Sequence, residues 1–462
     1  MPAIWSILYC LRNNPEKLKW SQRRRGLDDK IVDEALKLDK EWRKMKTVLD
    51  KKRYELNVVS RKIAGLSGEE RKRAIEKASM LRKEVQALTE HMRRLEEKRN
   101  KVLLSIPNII HETVPMGRDE SDNVPIRFWG RPRVYHGDLE KFLDQTRGFN
   151  VEYEIIDYKP LGHADYVENA GLADIMRAAK VAGARFYYLY DDLVWLDLAL
   201  IMYALDFLAK QGFKIVEPPF MLKRKAYEGV ISFEDFEDMI YKIEDEDLYL
   251  IATSEHPLAA LHMNETLPED ELPILYAGVS PCFRKEAGAH GRDTKGIFRV
   301  HQFNKVEQFV FAHPEESWEW HERLIENAEK IWQGLGIPYR IVNVCSGDLG
   351  AVAAKKYDLE AWMPAQARYR EMVSCSNVTD YQSYRLGIKY AKVRGAPAKG
   401  YVHTLNSTAI ATSRAITAIV ENFQEPDGTV VIPKVLRSYL EIFKAAPKEV
   451  IEPKQKLHNS RH

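Results

Sequence analysis

Residues 281–309 read PCFRKEAGAHGRDTKGIFRVHQFNKVEQF. Two apolar runs flank a glycine-rich segment, residues 287–296, and this pattern predicts two strands joined as a β-hairpin. Alternation places Arg284 and Glu286 on one face of the first strand. On the second strand it collects four side chains on one face: His301, Phe303, Lys305 and Glu307. Such an arginine can hold a phosphate or a carboxylate and a facing aromatic ring can stack on a base, although cross-strand ion pairing on a solvated face would use the same residues.

The sequence around this hairpin is typical of an α+β domain. Runs of β-branched and aromatic residues predict strands at residues 186–189, 214–216, 248–252, 298–303 and 339–344. Longer helical patterns lie at residues 193–210 and 315–333. The irregular spacing favours a mainly antiparallel sheet flanked by helices over an alternating, doubly wound fold. The sequence has neither a P-loop nor a G-x-G-x-x-G motif, which disfavours a Walker-type or Rossmann nucleotide site.

Two further segments place polar groups in apolar surroundings. In residues 370–377, Glu371 and Ser374 could bind a hard cation through oxygen, or they could belong to a serine-rich edge strand. In residues 405–417, small residues predict a helix packed closely on the sheet. Arg414 lies within this apolar pattern and needs an anionic partner, either a ligand phosphate or a structural carboxylate.

A hydroxyl and a carboxylate also follow a predicted strand at Thr253 and Glu255. They could face a ligand. They could equally form a helix N-cap with an acidic first turn.

The segment at residues 28–101 differs from the rest of the chain. It has no proline, and its apolar residues recur at steps of three and four, the period of a coiled-coil seam. The breaker around Gly65 and Gly68 predicts two helices folded back as an antiparallel hairpin, a long arm. The segment carries 22 Lys and Arg against 15 Asp and Glu, and the first 101 residues have a net charge of +12 while the remainder has −10. A basic arm beside an acidic body fits a nucleic-acid partner, or else a solvated coiled coil.

Length and composition set the outer bounds. A chain of 462 residues, 45% hydrophobic and 30% charged, predicts a globular protein of two or three domains. Its four cysteines lie far apart without a C-x-x-C pair, so we expect neither disulfides nor zinc, and a cytoplasmic location. No apolar run approaches the ~18 residues of a membrane span. The first 11 residues lack the basic start and the cleavage site of a secretory signal.

Taken together, these segments closely resemble the seryl-tRNA synthetase family of class II aminoacyl-tRNA synthetases. Residues 217–219 are similar to class motif 1, which lies at the family's dimer interface, near Pro219 here. Residues 283–307 resemble motif 2 and residues 405–414 resemble motif 3. The resemblance implies an N-terminal tRNA-binding domain at residues 1–110, with its hairpin at about 28–101, and a catalytic domain at residues 111–462. Residues 407–409 read Ser-Thr-Ala where bacterial members usually have Gly-Ser-Gly, a departure that keeps a hydroxyl.

The resemblance also implies a role for individual residues. Arg284 would contact the ATP α-phosphate and the serine carboxylate, and Arg414 would clamp the γ-phosphate. Near the adenine would lie Glu286, Val300 and Phe303. ATP and Mg²⁺ would be held by Glu371 and Ser374. The serine pocket would comprise Thr253, Glu255, Glu307 and Thr408, and which carboxylate takes the ammonium and which the hydroxyl stays open.

The implied activity is that of a serine–tRNA ligase. It would activate L-serine with ATP to seryl-adenylate and pyrophosphate, then pass serine to the 3′ end of tRNA(Ser) and, where it is present, tRNA(Sec). We expect a cytoplasmic homodimer that needs Mg²⁺ and no zinc. The alternatives are a homologue that loads serine onto another acceptor and a non-catalytic coiled-coil scaffold. The sequence suggests no role for the first 27 residues or for the tail at residues 438–462.

Overall fold

The computed structural model describes residues 5–286, 293 and 295–453, without the side chains of residues 234 and 235. The chain divides into two compact units. One spans Ile4–Ile109, and the other takes in the chain from Ile110 onward. Within the described residues, no helix is both long enough and apolar enough to cross a membrane.

The smaller unit is helical, with two short helices ahead of two long ones. The helices are α1 (Ile7–Asn13), α2 (Pro15–Arg24), α3 (Lys30–Ile63) and α4 (Gly68–Leu104). Ser6 and Asn14 cap the short helices by accepting hydrogen bonds from backbone N–H groups of their first turns. Helix α4 begins at Gly68, whose φ of 56° suits glycine. The predicted helical hairpin is confirmed.

Cross-helix pairs give the hairpin its antiparallel register. Lys52, which interrupts the apolar series in the sequence, lies 2.8 Å from Glu84. Nearer the open end, the fully buried Asp39 lies 2.7 Å from Arg99 and 2.9 Å from Arg12. Burial would raise the pKa of Asp39, but the two guanidinium groups outweigh it and lower that pKa.

The larger unit is built on an eight-stranded sheet. In chain order its strands are β1 (Val124–Trp129), β2 (Lys214–Val216), β3 (Ile274–Phe283), β4 (Gln302–Ala312), β5 (Tyr339–Asn343), β6 (Lys355–Met363), β7 (Arg368–Thr379) and β8 (His403–Ala411). Their spatial order is β1-β5-β6-β7-β8-β4-β3-β2. Every neighbouring pair is antiparallel except β3 with β2. The predicted α+β class with a mainly antiparallel sheet is confirmed.

Helices and short strands surround this sheet. The helices are α5 (Leu139–Gln145), α6 (His163–Asn169), α7 (Ile175–Ala182), α8 (Asp192–Lys210), α9 (Arg224–Val230), α10 (Phe233–Phe236), α11 (Glu255–Ala260), α12 (Ser317–Leu335), α13 (Tyr381–Leu386), α14 (Thr412–Asn422) and α15 (Lys434–Glu441). Short strands lie at Arg133–Tyr135, Glu154–Ile156, Ala173–Asp174, Tyr188–Leu189, Met221–Leu222, Tyr249–Leu250, Thr266–Pro268, Lys389–Ala391, Gly400–Tyr401, Val430–Val431 and Val450–Ile451. Helices α8, α12 and α14 pack on one face, where Val306 and Val310 of β4 join the main core. The opposite face of β4 carries Lys305 and Glu307 and, farther along the strand, Phe309 and Phe311, which are buried in a second hydrophobic cluster.

Two predicted elements differ from the structure. The strand expected at residues 298–303 begins only at Gln302, and its partner ends at Phe283, so Arg284 and Glu286 lie beyond the paired strands. The helix expected over residues 405–417 is strand β8 as far as Ala411, and helix α14 follows. All of β8 is buried, between β7 and β4. A strand covered on both faces shows no alternation in its sequence, which is why its small residues suggested a helix.

Candidate active site

A cavity of about 380 Å³ lies against the face of the sheet that carries Lys305 and Glu307. The structure brings nine of the predicted site residues together around it: Thr253, Glu255, Arg284, Phe303, Glu307, Glu371, Ser374, Thr408 and Arg414. Five of them lie on strands β4, β7 and β8 of the sheet. The other four lie just before α11 (Thr253), at its start (Glu255), just after β3 (Arg284) and on α14 (Arg414). The sheet therefore acts as the platform on which distant segments meet.

Two β-bulges align these side chains. Glu371 and Ser374 are three residues apart, a spacing that puts side chains on opposite faces of a regular strand. In the β6–β7 pair, however, Glu371 lies opposite Glu360 and Ser374 opposite Asp358, so Met372 is an extra residue. The bulge brings both oxygen donors to the cavity face.

A second bulge lies between β4 and β8. Glu307 lies opposite Thr408 and Lys305 opposite Ala411, which leaves one extra residue on β8. As a result, the Thr408 hydroxyl and the Glu307 carboxylate face the same cavity, 3.5 Å apart.

One end of the cavity holds two carboxylates in different electrostatic settings, and we call it the two-carboxylate pocket (Glu255, Lys305, Glu307 and Thr408). The Glu307 carboxylate lies 2.5 Å from the Lys305 ammonium, and both side chains are buried. The Glu255 carboxylate instead accepts a hydrogen bond of 3.0 Å from the neutral amide of Gln382. Glu307 is thus paired with a full positive charge, whereas Glu255 is not.

Burial governs the protonation of this pocket. Burial, with a further contribution from Glu307, raises the pKa of Glu255 to about 7, although Lys305, Gln382 and Arg284 oppose the rise. Burial also lowers the pKa of the adjacent His256 to about 3, with help from the charges of Lys305 and Arg284. At neutral pH the imidazole is therefore uncharged.

Two arginines also line the cavity. The Arg414 guanidinium donates to the backbone oxygen of Glu371 at 2.9 Å and lies 3.3 Å from its carboxylate. Arg284 donates to the backbone oxygen of Ala252 at 3.2 Å, and its guanidinium lies 5.2 Å from the centre of the Phe303 ring. Burial would raise the pKa of Glu371, but Arg414, Lys356 and Arg284 outweigh it and lower that pKa. The two arginines are held in place and still face the cavity.

Two predicted residues, Glu286 and Val300, are not among those that line the cavity. Glu286 forms an ion pair with Arg299 at 2.9 Å, and its φ is 51°. Val300 is buried. Of the glycine-rich segment at 287–296, residues 287–292 and 294 lie outside the described residues, as does the tail beyond residue 453.

Sequence reasoning assigned no role to three other parts of the cavity wall: residues 348–353, Lys356 and Asn406. The Asp348 carboxylate accepts a hydrogen bond of 2.9 Å from the side-chain amide of Asn123, and its backbone oxygen accepts one of 3.0 Å from Lys356. The alternation of side chains along a strand could have identified Lys356, because Lys356 and Asp358 lie on the same face of β6. The loop at 348–353 carries no comparable pattern.

The chemistry of the donor set at Glu371 and Ser374 fits Mg²⁺, which takes one or two protein oxygens and completes its shell with water and phosphate oxygens. Within the described ranges, no group of three or more His, Cys, Asp or Glu residues could hold a metal by itself.

Comparison with known proteins identifies close relatives. Residues 8–110 match the family model for the seryl-tRNA synthetase N-terminal domain. Residues 240–423 match the family model for the tRNA synthetase class II core domain (G, H, P, S and T). The serine–tRNA ligase of Archaeoglobus fulgidus is 66% identical over 97% of this chain and 99% of its own length. That of Hyperthermus butylicus is 61% identical over 98% and 99%.

Two solved structures are similar over most of the fold. The seryl-tRNA synthetase from Pyrococcus horikoshii, complexed with ATP, is 55% identical with a TM-score of 0.87, covering 96% of this chain and 99% of that one. The cytoplasmic serine–tRNA ligase from Naegleria fowleri, in complex with AMP, is 40% identical with a TM-score of 0.79, covering 96% of each chain.

Proposed function

The chain belongs to the seryl-tRNA synthetase family, the class II enzymes that ligate serine to tRNA with ATP, and we propose that its cavity is the site where serine is activated. The observation that carries the proposal is the set of polar groups that share one cavity wall. That wall carries two carboxylates, two arginines and the oxygen donors of Glu371 and Ser374, of which Glu371, Ser374 and Thr408 owe their direction to the two bulges. A substrate with an ammonium, a hydroxyl and a carboxylate, together with a triphosphate, matches that set group by group.

The charges of the two-carboxylate pocket assign the serine groups. Among the described residues Glu255 has no cation in direct contact, so it receives the serine ammonium with the Thr253 hydroxyl nearby. Glu307 is neutralised by Lys305, so it accepts a hydrogen bond from the serine hydroxyl alongside Thr408. A site built to hydrogen-bond the serine hydroxyl rejects alanine, because its polar groups would be left unpaired.

The two arginines receive ATP. Arg284 binds the α-phosphate and the serine carboxylate, and Arg414 binds the γ-phosphate. The Phe303 ring stacks on adenine, while Glu286 and the Val300 backbone contact its edge. Supporting this, the Arg284 guanidinium already lies over the Phe303 ring, and the Glu286 carboxylate is held by Arg299. Mg²⁺ held by Glu371 and Ser374 would supply positive charge to the phosphate oxygens.

The reaction then needs no protein nucleophile. A serine carboxylate oxygen attacks the α-phosphorus, the bond to the β-phosphate oxygen breaks, and pyrophosphate leaves. A terminal hydroxyl of tRNA next attacks the seryl carbonyl, and AMP leaves. Arg284 and Arg414 act by positioning the reactants and stabilising the charge on the phosphates.

The helical hairpin of α3 and α4 is the proposed contact with tRNA(Ser) and, where present, tRNA(Sec). Its helices of 34 and 37 residues reach about 50 Å at ~1.5 Å per residue. The +12 net charge of the first 101 residues supports a polyanionic partner.

The proposed enzyme is a cytoplasmic homodimer that meets its partner subunit through motif 1, around Pro219. Strand β2 is an edge of the main sheet, and its Ile215 is exposed. On the neighbouring helix α8, Val194 and Leu198 are exposed as well. An apolar edge strand beside an apolar helix is a surface that a soluble protein usually covers.

Serine-dependent exchange of pyrophosphate into ATP, followed by charging of tRNA(Ser), tests the proposal. We expect both activities, and E255Q should raise the KM for serine without changing the KM for ATP. Exchange without charging would favour the homologue with another acceptor, and no exchange would favour the scaffold. If E255Q left the KM for serine unchanged, the assignment of the ammonium site would be wrong.

A further inference from the structure

We propose that Gln382 on helix α13 is a positioning residue for serine recognition, which fixes the Glu255 carboxylate where it receives the substrate ammonium. The inference rests on the proposed role of Glu255. It adds a residue that does not line the cavity and therefore acts through another group.

Every polar atom of the Gln382 side chain is engaged. Its amide nitrogen donates to Glu255 Oε1 at 3.0 Å and to the backbone oxygen of Val230 at 3.3 Å. Its amide oxygen accepts from the Thr404 hydroxyl at 2.7 Å. The side chain of Gln382 is fully buried, so its amide is shielded from solvent.

The orientation of the amide is determined by its partners. A carboxylate oxygen and a backbone carbonyl are both acceptors, so the group that faces Glu255 and Val230 must be the NH₂. If the amide were flipped, its oxygen would face these two acceptors and two buried hydrogen bonds would be lost. The Thr404 hydroxyl then donates to the remaining oxygen, and the chain Thr404–Gln382–Glu255 has a single direction.

This arrangement favours an ionised Glu255. A hydrogen bond from a neutral amide stabilises the carboxylate without cancelling its charge, whereas a cation in direct contact, like Lys305 at Glu307, would compete with the incoming ammonium. The charged and titratable groups that face Glu255 are Glu307, Lys305, Arg284 and, from helix α9, Tyr227. Gln382 is uncharged and donates a hydrogen bond to the Glu255 carboxylate. Without it, burial and the repulsion from Glu307 are less strongly opposed, and the pKa of Glu255 rises further.

The test compares Q382M with a matched control, Q424M. Methionine is close to glutamine in volume, so each variant removes a buried amide without opening a large cavity. Gln424 is also buried, and its amide exchanges two hydrogen bonds with the Leu161 backbone, at 2.8 and 3.2 Å, away from the cavity. In the full-length enzyme, pyrophosphate exchange is followed against serine and against ATP from about pH 6 to about pH 9.

We expect Q382M to raise the KM for serine about tenfold, corresponding to about 1.4 kcal/mol, while the KM for ATP stays within about twofold. The acid limb of kcat/KM for serine should also move to higher pH, because Glu255 now protonates more readily. Q424M should change neither quantity. A serine KM within about twofold of wild type, or an unshifted acid limb, would overturn the proposal.

A second pair keeps the proposal testable if Q382M does not fold. T404V removes the hydroxyl that holds the amide, and T404S retains it. We expect the KM for serine to rise about threefold in T404V and to stay unchanged in T404S. Equal KM values in the two variants would contradict a role for the Thr404–Gln382–Glu255 chain. E255Q distinguishes the role of Gln382 from that of Glu255. If E255Q raises the KM for serine and Q382M does not, only the role of Gln382 is wrong. If E255Q has no effect on the KM for serine, the assignment of the ammonium site to Glu255 is wrong.

Discussion

Replacing Lys305 with methionine should strongly destabilise the larger unit. Lys305 lies 2.5 Å from Glu307, and the two side chains are 7% and 2% exposed. The neighbouring Thr408 hydroxyl lies 3.5 Å away and cannot replace a charge. Removing one partner of a buried ion pair leaves an uncompensated charge, which costs about 3–5 kcal/mol. We therefore expect K305M to lower the free energy of unfolding by that amount at pH 8, and E307Q in the same background to restore much of it.

The pH dependence of this loss gives a sharper test. Without Lys305, burial raises the pKa of Glu307 further above its value of about 4.3 in the unfolded chain. Between those two pKa values the folded state holds a proton that the unfolded state has released. Stability therefore falls as pH rises through that window, by up to about 1.4 kcal/mol per pH unit. The deficit of K305M should be smaller at pH 5 than at pH 8, and it should not depend on pH in K305M/E307Q.

The measurement is guanidinium unfolding followed by tryptophan fluorescence, for wild type, K305M, E307Q and the double variant. The four free energies form a double-mutant cycle, and we expect a coupling of at least about 2 kcal/mol between positions 305 and 307. A deficit below about 1 kcal/mol for K305M, or a deficit independent of pH, would refute the reasoning that Glu307 is ionised and compensated by Lys305.

Three further predictions address the other parts of the molecule. Deleting residues 28–101 should spare pyrophosphate exchange and abolish tRNA charging, and loss of both would contradict the division between hairpin and cavity. R414A should slow exchange by about 100-fold with little change in the KM for serine, because a preorganised charge at the phosphates is lost. Steady-state kinetics with serine and with ATP measure this, and a change in the KM for serine alone would argue against the assignment of Arg414 to the phosphates. I215D should place a charge on the exposed edge strand and convert a dimer to monomers in sedimentation, whereas an unchanged oligomeric state would exclude this surface.

The sequence predicted those elements whose periodicity is continuous. The apolar spacing in residues 28–101 marked both long helices and the break between them, and the observed helices end within a few residues of the expected limits. Helices α8 and α12 were indicated by the same signal. In each case one helix face is buried and the other is solvated, so local pattern and tertiary environment agree.

The cavity was harder to predict because it depends on interruptions of periodicity. Simple alternation puts Glu371 and Ser374 on opposite faces of β7, and only the extra residue Met372 reverses this. The polar types of Arg284 and Glu286 were noticed, but their strand ends at Phe283. Gln382 was not singled out at all, because its partners are 127 and 22 residues away in sequence. Contacts of that kind leave no local trace.

The net charge of +2 is the sum of a basic N-terminal segment and an acidic remainder, and the acidic part of the chain holds the proposed site for an anionic nucleotide. Outside the first 101 residues the chain carries −10, so the net charge of that part of the chain does not favour an anionic ligand. The cations inside it are buried or held by neighbouring acceptors: Arg414 contacts Glu371, and Lys305 contacts Glu307. Such pairs fix the cationic groups before substrate arrives, so little reorganisation is needed when the phosphates bind. Affinity at this site therefore depends on placement, and it should vary far less with salt than the binding of tRNA to the basic hairpin.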